Sequence, residues 1–529
     1  MKFKLNENHT KLILVESTRE EYNQVKRCLS PYVNNYRFMP RYKLGVWDGK
    51  IDFFKNGHIN FGLWHEVYEI CKEYGYPFQV LNKEQFPKDH KLKKQDIIDF
   101  CEDFYAGYYT SHKKNEKGEI VEEGKPFFPY EHQIDAIFKL LKYKYGLVEI
   151  ATAGGKSLVF ATIVFYILRN IDPEAKFLLI VPNISLVTQF YDDLIDYNLG
   201  YNKENEEPLD INIQEIMSDK PRKIREGEEP NIYIGTYQSL EKYPLNFFKQ
   251  FMVVGTDEAH RSKSKTIETI LTKTFGTAQY RFGMSGTYPA KESSEFMTIE
   301  SLMGPNLLTV KAKKLQEEGL ISNLKIKALQ LNYEEYNFAE KVFLVKKRGG
   351  GRQAFELEKE FIHNSERRKL FLMKLVSKFQ QNSLVLFHSI EYGKTLYNFF
   401  RDNIGGKNFY YIDGQIKAKK RNQIKKIMEE TTGAPKILVA SYGTLSTGIN
   451  IKAITNIVFT DSFKSDQIIR QSIGRGLRLH EEKDKLIVFD IVDRFSLKYK
   501  NTLYQHYLSR RNKIYKEQQY PYDELKIRL

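Results

Sequence analysis

The chain has 529 residues, 41% of them hydrophobic and 14% aromatic, and carries a formal net charge of +15 at pH 7. That length implies three or four domains, and the charge favours polyanionic partners, nucleic acid before anionic membrane, with a merely lysine-rich surface as the plainer alternative. Three scattered cysteines, Cys28, Cys71 and Cys101, argue against a disulfide framework and a zinc site, and the lack of an apolar segment after Met1-Lys2-Phe3-Lys4 or of any membrane-spanning run leaves a cytoplasmic protein as the expectation.

Residues 1–104 are expected to form a small α+β domain. Lys11–Val15 reads as a strand, and Arg19–Leu29 has helical spacing through Tyr22, Val25 and Leu29. The stretch from Tyr36 to Ile51 is aromatic and basic, and its Asp48-Gly49 dipeptide predicts a hairpin. Leu63–Tyr74 predicts a second helix. Basic and aromatic side chains interleave at Arg37, Arg41, Lys43, Trp47 and Lys50, which suits a nucleic-acid-facing ribbon. The block as a whole is nearly charge-balanced, with 17 Lys/Arg against 15 Asp/Glu, and Trp47 is equally at home in a core. Residues 105–126 are polar and unpatterned and read as a linker.

From residue 127 strands and helices alternate. Gly146–Ile150 is a strand, followed by Ala151-Thr152-Ala153-Gly154-Gly155-Lys156-Ser157 and a helix over Lys156–Asn170. Glycines here let backbone N–H groups close around phosphate oxygens, Lys156 reaches the β/γ-phosphates, and the Ser157 hydroxyl suits Mg²⁺. Further strands are expected at Phe177–Val181, Asn231–Tyr237, Phe251–Thr256 and Arg281–Ser285. The run Phe251–Val254 leads into Asp257-Glu258-Ala259-His260, which sets two carboxylates at a strand end: Asp257 for the Mg²⁺ shell and Glu258 to polarise water. This pattern predicts a parallel sheet covered by helices in residues 127–322.

A second alternating block, residues 323–493, carries strands at Ser383–His388, Asn408–Ile412, Lys436–Ser441, Ile454–Asp461 and Lys485–Asp490. Lys346–Arg352 reads as a basic, glycine-rich loop. A helix from Ser465 holds Gln471 and, three residues apart on one face, Arg475 and Arg478. Planar guanidinium groups suit the charge of a transferring phosphoryl. Residues 494–529 hold nine Lys/Arg against three Asp/Glu and predict a basic helical extension that either grips nucleic acid or packs on the preceding domain.

Taken together these residues resemble a superfamily 2 helicase of the DEAH type. Phe128–Gln133 is similar to the adenine-reading glutamine motif, with Gln133 in that role. Residues 151–157 match the phosphate-binding motif, 257–260 the DEAH motif, Ser285-Gly286-Thr287 the coupling motif, 440–450 motif V and 471–478 motif VI. The stretches Tyr36–Lys50 and Phe61–Leu63, with Val439–Ile449, narrow the resemblance to the UvsW-like recombination helicases of T-even bacteriophages, in which an N-terminal domain precedes two motor domains. The resemblance implies two tandem RecA-like parallel-sheet motor domains behind a small α+β N-terminal domain. It implies ATP and Mg²⁺ as cofactors, and a nucleotide site made by Gln133, Thr152, Ala153, Gly154, Gly155, Lys156, Ser157 and Gly448. Catalysis would rest on Lys156, Asp257, Glu258, Gln471, Arg475 and Arg478. It places strand contacts at Pro182, Asn183, Thr236 and Thr447, joined by Arg37, Arg41 and Lys50. The implied substrate is branched DNA, single- and double-stranded, with RNA–DNA hybrids and a single-strand-binding protein as further partners and no membrane, for a monomer in a bacterial host cytoplasm. RNA unwinding and restriction-type translocation remain alternatives on the same motor fold.

Overall fold

A computed structural model describes the backbone of all residues except 107–108, 111–112, 115–119, 123–124, 200–208, 218–228, 261–264, 275–276, 447–450, 462–465, 478–482, 484 and 517. Side chains are described for the same residues apart from the rest of 107–126 and residues 199, 418–419, 445–446, 466–468, 471 and 475. Two compact units result: Met1–Ile150 with Gly155–Val310, and Lys311–Leu529 with the four loop residues Ala151–Gly154.

The first unit begins with a four-stranded sheet of β1 (Lys2–Leu5), β2 (Lys11–Glu16), β3 (His58–Asn60) and β4 (Gln79–Val80), in the order β3-β2-β1-β4. Helix Arg19–Cys28 opens on a capping box between Thr18 and Glu21. Helix Trp64–Glu73 buries Val67, Ile70 and Cys71. The expected hairpin over Tyr36–Ile51 does not form. Tyr36–Phe38 and Pro40–Lys43 are short helical turns, with Pro40 at the first helical position, where its fixed φ and missing N–H suit a helix start and not a paired strand. Asp48-Gly49 does turn the chain, with Asp48 Oδ1 accepting from Lys50 N at 3.0 Å and Gly49 at φ 88°.

Seven parallel strands follow: β5 (Tyr145–Ile150), β6 (Phe177–Val181), β7 (Ile213–Ile216), β8 (Ile232–Thr236), β9 (Val253–Asp257), β10 (Tyr280–Ser285) and β11 (Asn306–Val310), in the order β7-β8-β6-β9-β10-β5-β11. All residues of β6, β8, β9 and β10 are buried, as a sheet with helices on both faces requires. The small N-terminal sheet packs on this domain. Phe61 meets Tyr145 at 5.7 Å between ring centroids, Lys291 pairs with Glu66 at 3.4 Å, and Met297 joins the N-terminal core. At Gly62 a Cβ would lie 2.0 Å from the Glu300 carbonyl oxygen, so glycine permits this close approach.

The second unit holds β12 (Asn323–Asn332), β13 (Ser383–Phe387), β14 (Asn408–Ile412), β15 (Lys436–Ser441), β16 (Asn456–Phe459), β17 (Lys485–Arg494) and β18 (Tyr522–Arg528), all parallel, in the order β14-β15-β13-β16-β17-β12-β18. Numbered within each sheet, the two orders are the same, 3-4-2-5-6-1-7, which is the signature of two tandem RecA-like domains. The glycine-rich stretch shrinks to residues 348–350 between helices Tyr336–Lys347 and Gly351–Asn364, because the basic residues flanking it continue those helices. The chain end helps build the sheet: after helix Thr502–Arg510, β18 runs beside β12.

Buried ion pairs tie the second unit together. Arg368 grips Asp493 through two contacts of 2.8 and 3.0 Å, bonds Tyr392 and the Thr460 carbonyl, and shares Asp493 with the Tyr333 hydroxyl. Arg510 meets Asp490 at 2.7 Å, with Tyr515 donating to the same carboxylate.

Candidate active site

Apart from the glutamine motif, which opens a helix, the described motifs of the first RecA-like domain lie at the carboxyl ends of parallel strands, the edge where open α/β sheets bind ligands. From β5 the chain enters the loop 151–155, in which Ala153 and Gly155 take φ of 71° and 78°. Two left-handed residues turn the backbone so that helix Lys156–Asn170 starts at the loop's end with its first N–H groups free of intrahelical partners, a ready anion site. Lys156 Nζ donates to the Ile150 carbonyl at 3.3 Å, which parks the ammonium across the loop. Ser157 follows on the first helical turn, half-buried.

Gln133 sits on the first turn of helix Glu131–Tyr143. Its Oε1 accepts from Tyr130 N at 2.8 Å, and it is buried. Its amide nitrogen lies only 2.1 Å from where a Gly155 Cβ would be, so the glutamine and the phosphate loop are packed against each other.

The carboxylates arrive from β9. Asp257 is buried, and among the described residues its Oδ1 has no hydrogen-bond partner. Burial first, then the charge of Glu258, raises its carboxyl to about 7, against the opposing influence of Lys156 and a backbone hydrogen bond at Glu258. The Asp257 carboxylate and the Ser157 hydroxyl are hard oxygen donors, the kind that Mg²⁺ takes, so the residues present fit Mg²⁺. Glu258 takes φ 51°, an uncommon conformation for a non-glycine residue.

His260 received no individual role from the sequence, and Ser285 only its place in the coupling motif. His260 Nδ1 lies 3.3 Å from Glu258 Oε2 and 2.8 Å from Ser285 Oγ. Ser285 Oγ in turn donates to the Thr287 carbonyl at 2.7 Å and accepts from Thr287 N at 3.2 Å. The carboxylate motif on β9 is therefore wired to the loop after β10. His260 and Ser285 are 25 residues apart in the chain, and the parallel pairing of β9 with β10 brings them together.

Pro182, Asn183 and Thr236 fall on the same edge, since β6 and β8 pair with Val181 opposite Thr236. Asn183 Oδ1 accepts from Ser185 Oγ and Leu186 N at 2.7 and 3.1 Å. Thr236 is buried and donates to Ser239 Oγ at 3.1 Å. In the N-terminal domain, Arg37 and Arg41 are exposed and Lys50 lies over the Tyr32 ring at 4.9 Å. In the second unit, helix Asp466–Gly476 carries the backbone of Gln471 and Arg475. The side chains of both, together with Thr447, Gly448 and Arg478, lie outside the described residues.

Tandem RecA-like sheets with these strand-end motifs define a helicase-type motor. Family models agree along the chain: one described as type III restriction enzyme, res subunit, matches residues 127–290, the helicase conserved C-terminal domain matches 367–480, and one described as DNA helicase UvsW, N-terminal, matches 2–81. The ATP-dependent DNA helicase UvsW of Enterobacteria phage T4 is 28% identical over 498 residues, 93% of this chain and 90% of that protein. A putative ATP-dependent helicase, IRC3, of Saccharomyces cerevisiae is 23% identical over 65% of this chain and 48% of its own length. Among solved structures, the ATP-dependent type ISP restriction-modification enzyme LlaBIII bound to DNA shares the fold, with TM-score 0.56 and 14% identity over 88% of this chain and 36% of that one. Along most of its length the chain is similar to the phage T4 helicase, with the N-terminal match at residues 2–81 and the motor matches behind it. No helix among the described residues is long and apolar enough to cross a membrane.

Proposed function

We propose that this protein is an ATP-dependent DNA helicase or translocase that remodels branched DNA by fork regression, Holliday-junction branch migration and unwinding of R-loops and D-loops. The observation that carries the reading is the buried Asp257 oxygen, without a hydrogen-bond partner among the described residues, within the electrostatic influence of Lys156 of the phosphate loop. Mg²⁺ would be held by Asp257 and Ser157 and would supply charge that offsets the phosphate oxygens. Gln133 selects adenine, the backbone of residues 152–155 and Lys156 bind the phosphates, and Gly448 adds to the nucleotide site. Glu258 orients the attacking water and holds its proton. Gln471, Arg475 and Arg478 meet the charge that develops on the terminal phosphate. Pro182, Asn183, Thr236 and Thr447 contact the sugar–phosphate backbone, which makes binding independent of sequence and weaker in salt. The His260–Ser285–Thr287 chain is the route by which a change at Glu258 reaches the loop after β10.

The test is ATP turnover and unwinding by the full chain on forks, Holliday junctions, R-loops and plain duplex. Lys156→Ala and Glu258→Gln are each expected to lower turnover by at least about a hundredfold while DNA binding persists. Unchanged turnover in both variants would refute the site. Stimulation by RNA and not by DNA would refute the substrate.

A further inference from the structure

The N-terminal domain shows an unusual surface. Within the nine residues Phe38–Val46, Phe38 is 76% exposed, Leu44 75% and Val46 71%. Large apolar side chains that project singly into water are ordinary, but three on one short loop mark an interaction site.

The loop is built and is not a frayed tail. Its base is closed by the Tyr32–Lys50 bridge, by Val33 N donating to the Gly49 carbonyl at 2.8 Å and by Ile51 N donating to Pro31 at 3.1 Å. Trp47 Nε1 donates to the Lys50 carbonyl at 2.8 Å. Tyr32 and Tyr36 stack at 4.5 Å, Tyr42 abuts Tyr36 edge-on at 4.8 Å, and Gly49 leaves room for the Tyr36 ring, which a Cβ there would meet at 2.3 Å. An aromatic mount thus holds the tips outward, and the two helical turns internally satisfy the backbone.

Charge says what covers the tips. From Tyr36 to Ile51 there are four cations, Arg37, Arg41, Lys43 and Lys50, and one acid, Asp48, whose Oδ1 accepts from the Lys50 backbone. The occupant must be anionic at its rim and apolar at its centre. A duplex end at a DNA branch point meets both demands: its terminal base pair offers a flat apolar face, and the diverging strands carry phosphates on either side. Wedges of Phe, Leu and similar side chains against base steps are an established way to hold distorted DNA.

We infer that residues 36–51 form a branch-point wedge, with Phe38, Leu44 and Val46 against the terminal base pairs of a junction and Arg37, Arg41 and Lys43 on the phosphates of the diverging strands. The inference deepens the proposed function and rests on DNA being the substrate.

The experiment uses the full chain without nucleotide. Affinity for a three-way fork and for a linear duplex of the same base composition is measured by fluorescence anisotropy, with 2-aminopurine beside the branch to report unstacking. The variant F38S/L44S/V46S is expected to lose about tenfold or more in fork affinity, to lose the 2-aminopurine rise, and to bind linear duplex within about twofold of the parent. F38W should retain the fork preference, and V15S, an exposed apolar side chain elsewhere on the same domain, should behave as the parent. Equal losses on fork and duplex, or no loss on either, would overturn the wedge. So would a defect confined to binding of phosphatidylcholine vesicles containing phosphatidylserine, which would assign the loop to a membrane. Because nucleotide is absent, a failed ATP site would still leave the parent's fork preference readable, and a failed wedge would leave the Lys156→Ala and Glu258→Gln comparison standing.

Discussion

Replacing Glu300 by Gln should abolish a pH dependence that the native chain carries in its N-terminal seam. Glu300 lies on helix Ser294–Met303, against which Gly62 packs, and is only 3% exposed. Burial first, then the nearby Glu66, raises its carboxyl from 4.5 to about 8, although Lys291 and a backbone hydrogen bond at Asn306 pull the other way. A carboxyl with a raised native-state value keeps a proton that the unfolded chain has already released. Its contribution to stability is therefore whole below pH 4.5 and is lost as pH climbs to about 8, after which the loss is constant. Each pH unit in that window costs ~1.4 kcal/mol, so the full window costs up to about 5 kcal/mol. Glutamine is close in shape and stays neutral, so Glu300→Gln should match the parent near pH 5 and exceed it by several kcal/mol near pH 8. The chain has two tryptophans, Trp47 and Trp64, both in the N-terminal domain, and Trp64 packs on Phe86 at 5.5 Å. Urea unfolding followed by tryptophan fluorescence at pH 5, 6.5 and 8 therefore reads this seam directly. Identical pH slopes for parent and variant would refute the reasoning.

Further outcomes follow from single contacts. Gly155→Ala puts a methyl 2.1 Å from Gln133 Nε2 at φ 78°, a conformation that costs ~1–2 kcal/mol for a non-glycine residue, so affinity for a fluorescent ATP analogue should fall by about tenfold or more. Gly62→Ala places its methyl 2.0 Å from the Glu300 carbonyl and should lower the tryptophan-monitored stability by roughly 1–3 kcal/mol. Arg368→Met leaves Asp493 buried without its partner and should cost about 3–5 kcal/mol, read as faster hydrogen exchange in residues 383–387 and 485–494; Arg368→Met with Asp493→Leu should recover most of that.

The coarse plan was legible from the chain. Apolar runs located β5, β6, β9, β13 and β15 to within a residue or two, because strands buried on both faces must be apolar throughout, and the aromatic run of Asn408–Ile412 located the half-exposed edge strand β14 as closely. The helix Lys156–Asn170 began and ended where its sequence placed it. Less legible were β7, whose Gln214 and Glu215 break the apolar run at a sheet edge, and β18, whose Tyr522–Arg528 alternates charge and reads as a tail until it finds β12 beside it. The hairpin expected from Asp48-Gly49 failed because Pro40 and the Tyr32–Tyr36–Tyr42 cluster favour a helical, self-packed loop over a ladder.

What the sequence alone determined is the chemistry on offer: a loop for phosphate, paired acids, a basic surface and two alternating α/β blocks, all local in the chain and so visible as composition and spacing. What only the tertiary structure decided is which of those groups meet. Sheet order sets His260 on Ser285, packing presses Gln133 against Gly155, and burial leaves one oxygen of Asp257 without a partner among the described residues. Those relations depend on long-range strand pairing and on exclusion of water, and neither has a signature within any short stretch of residues.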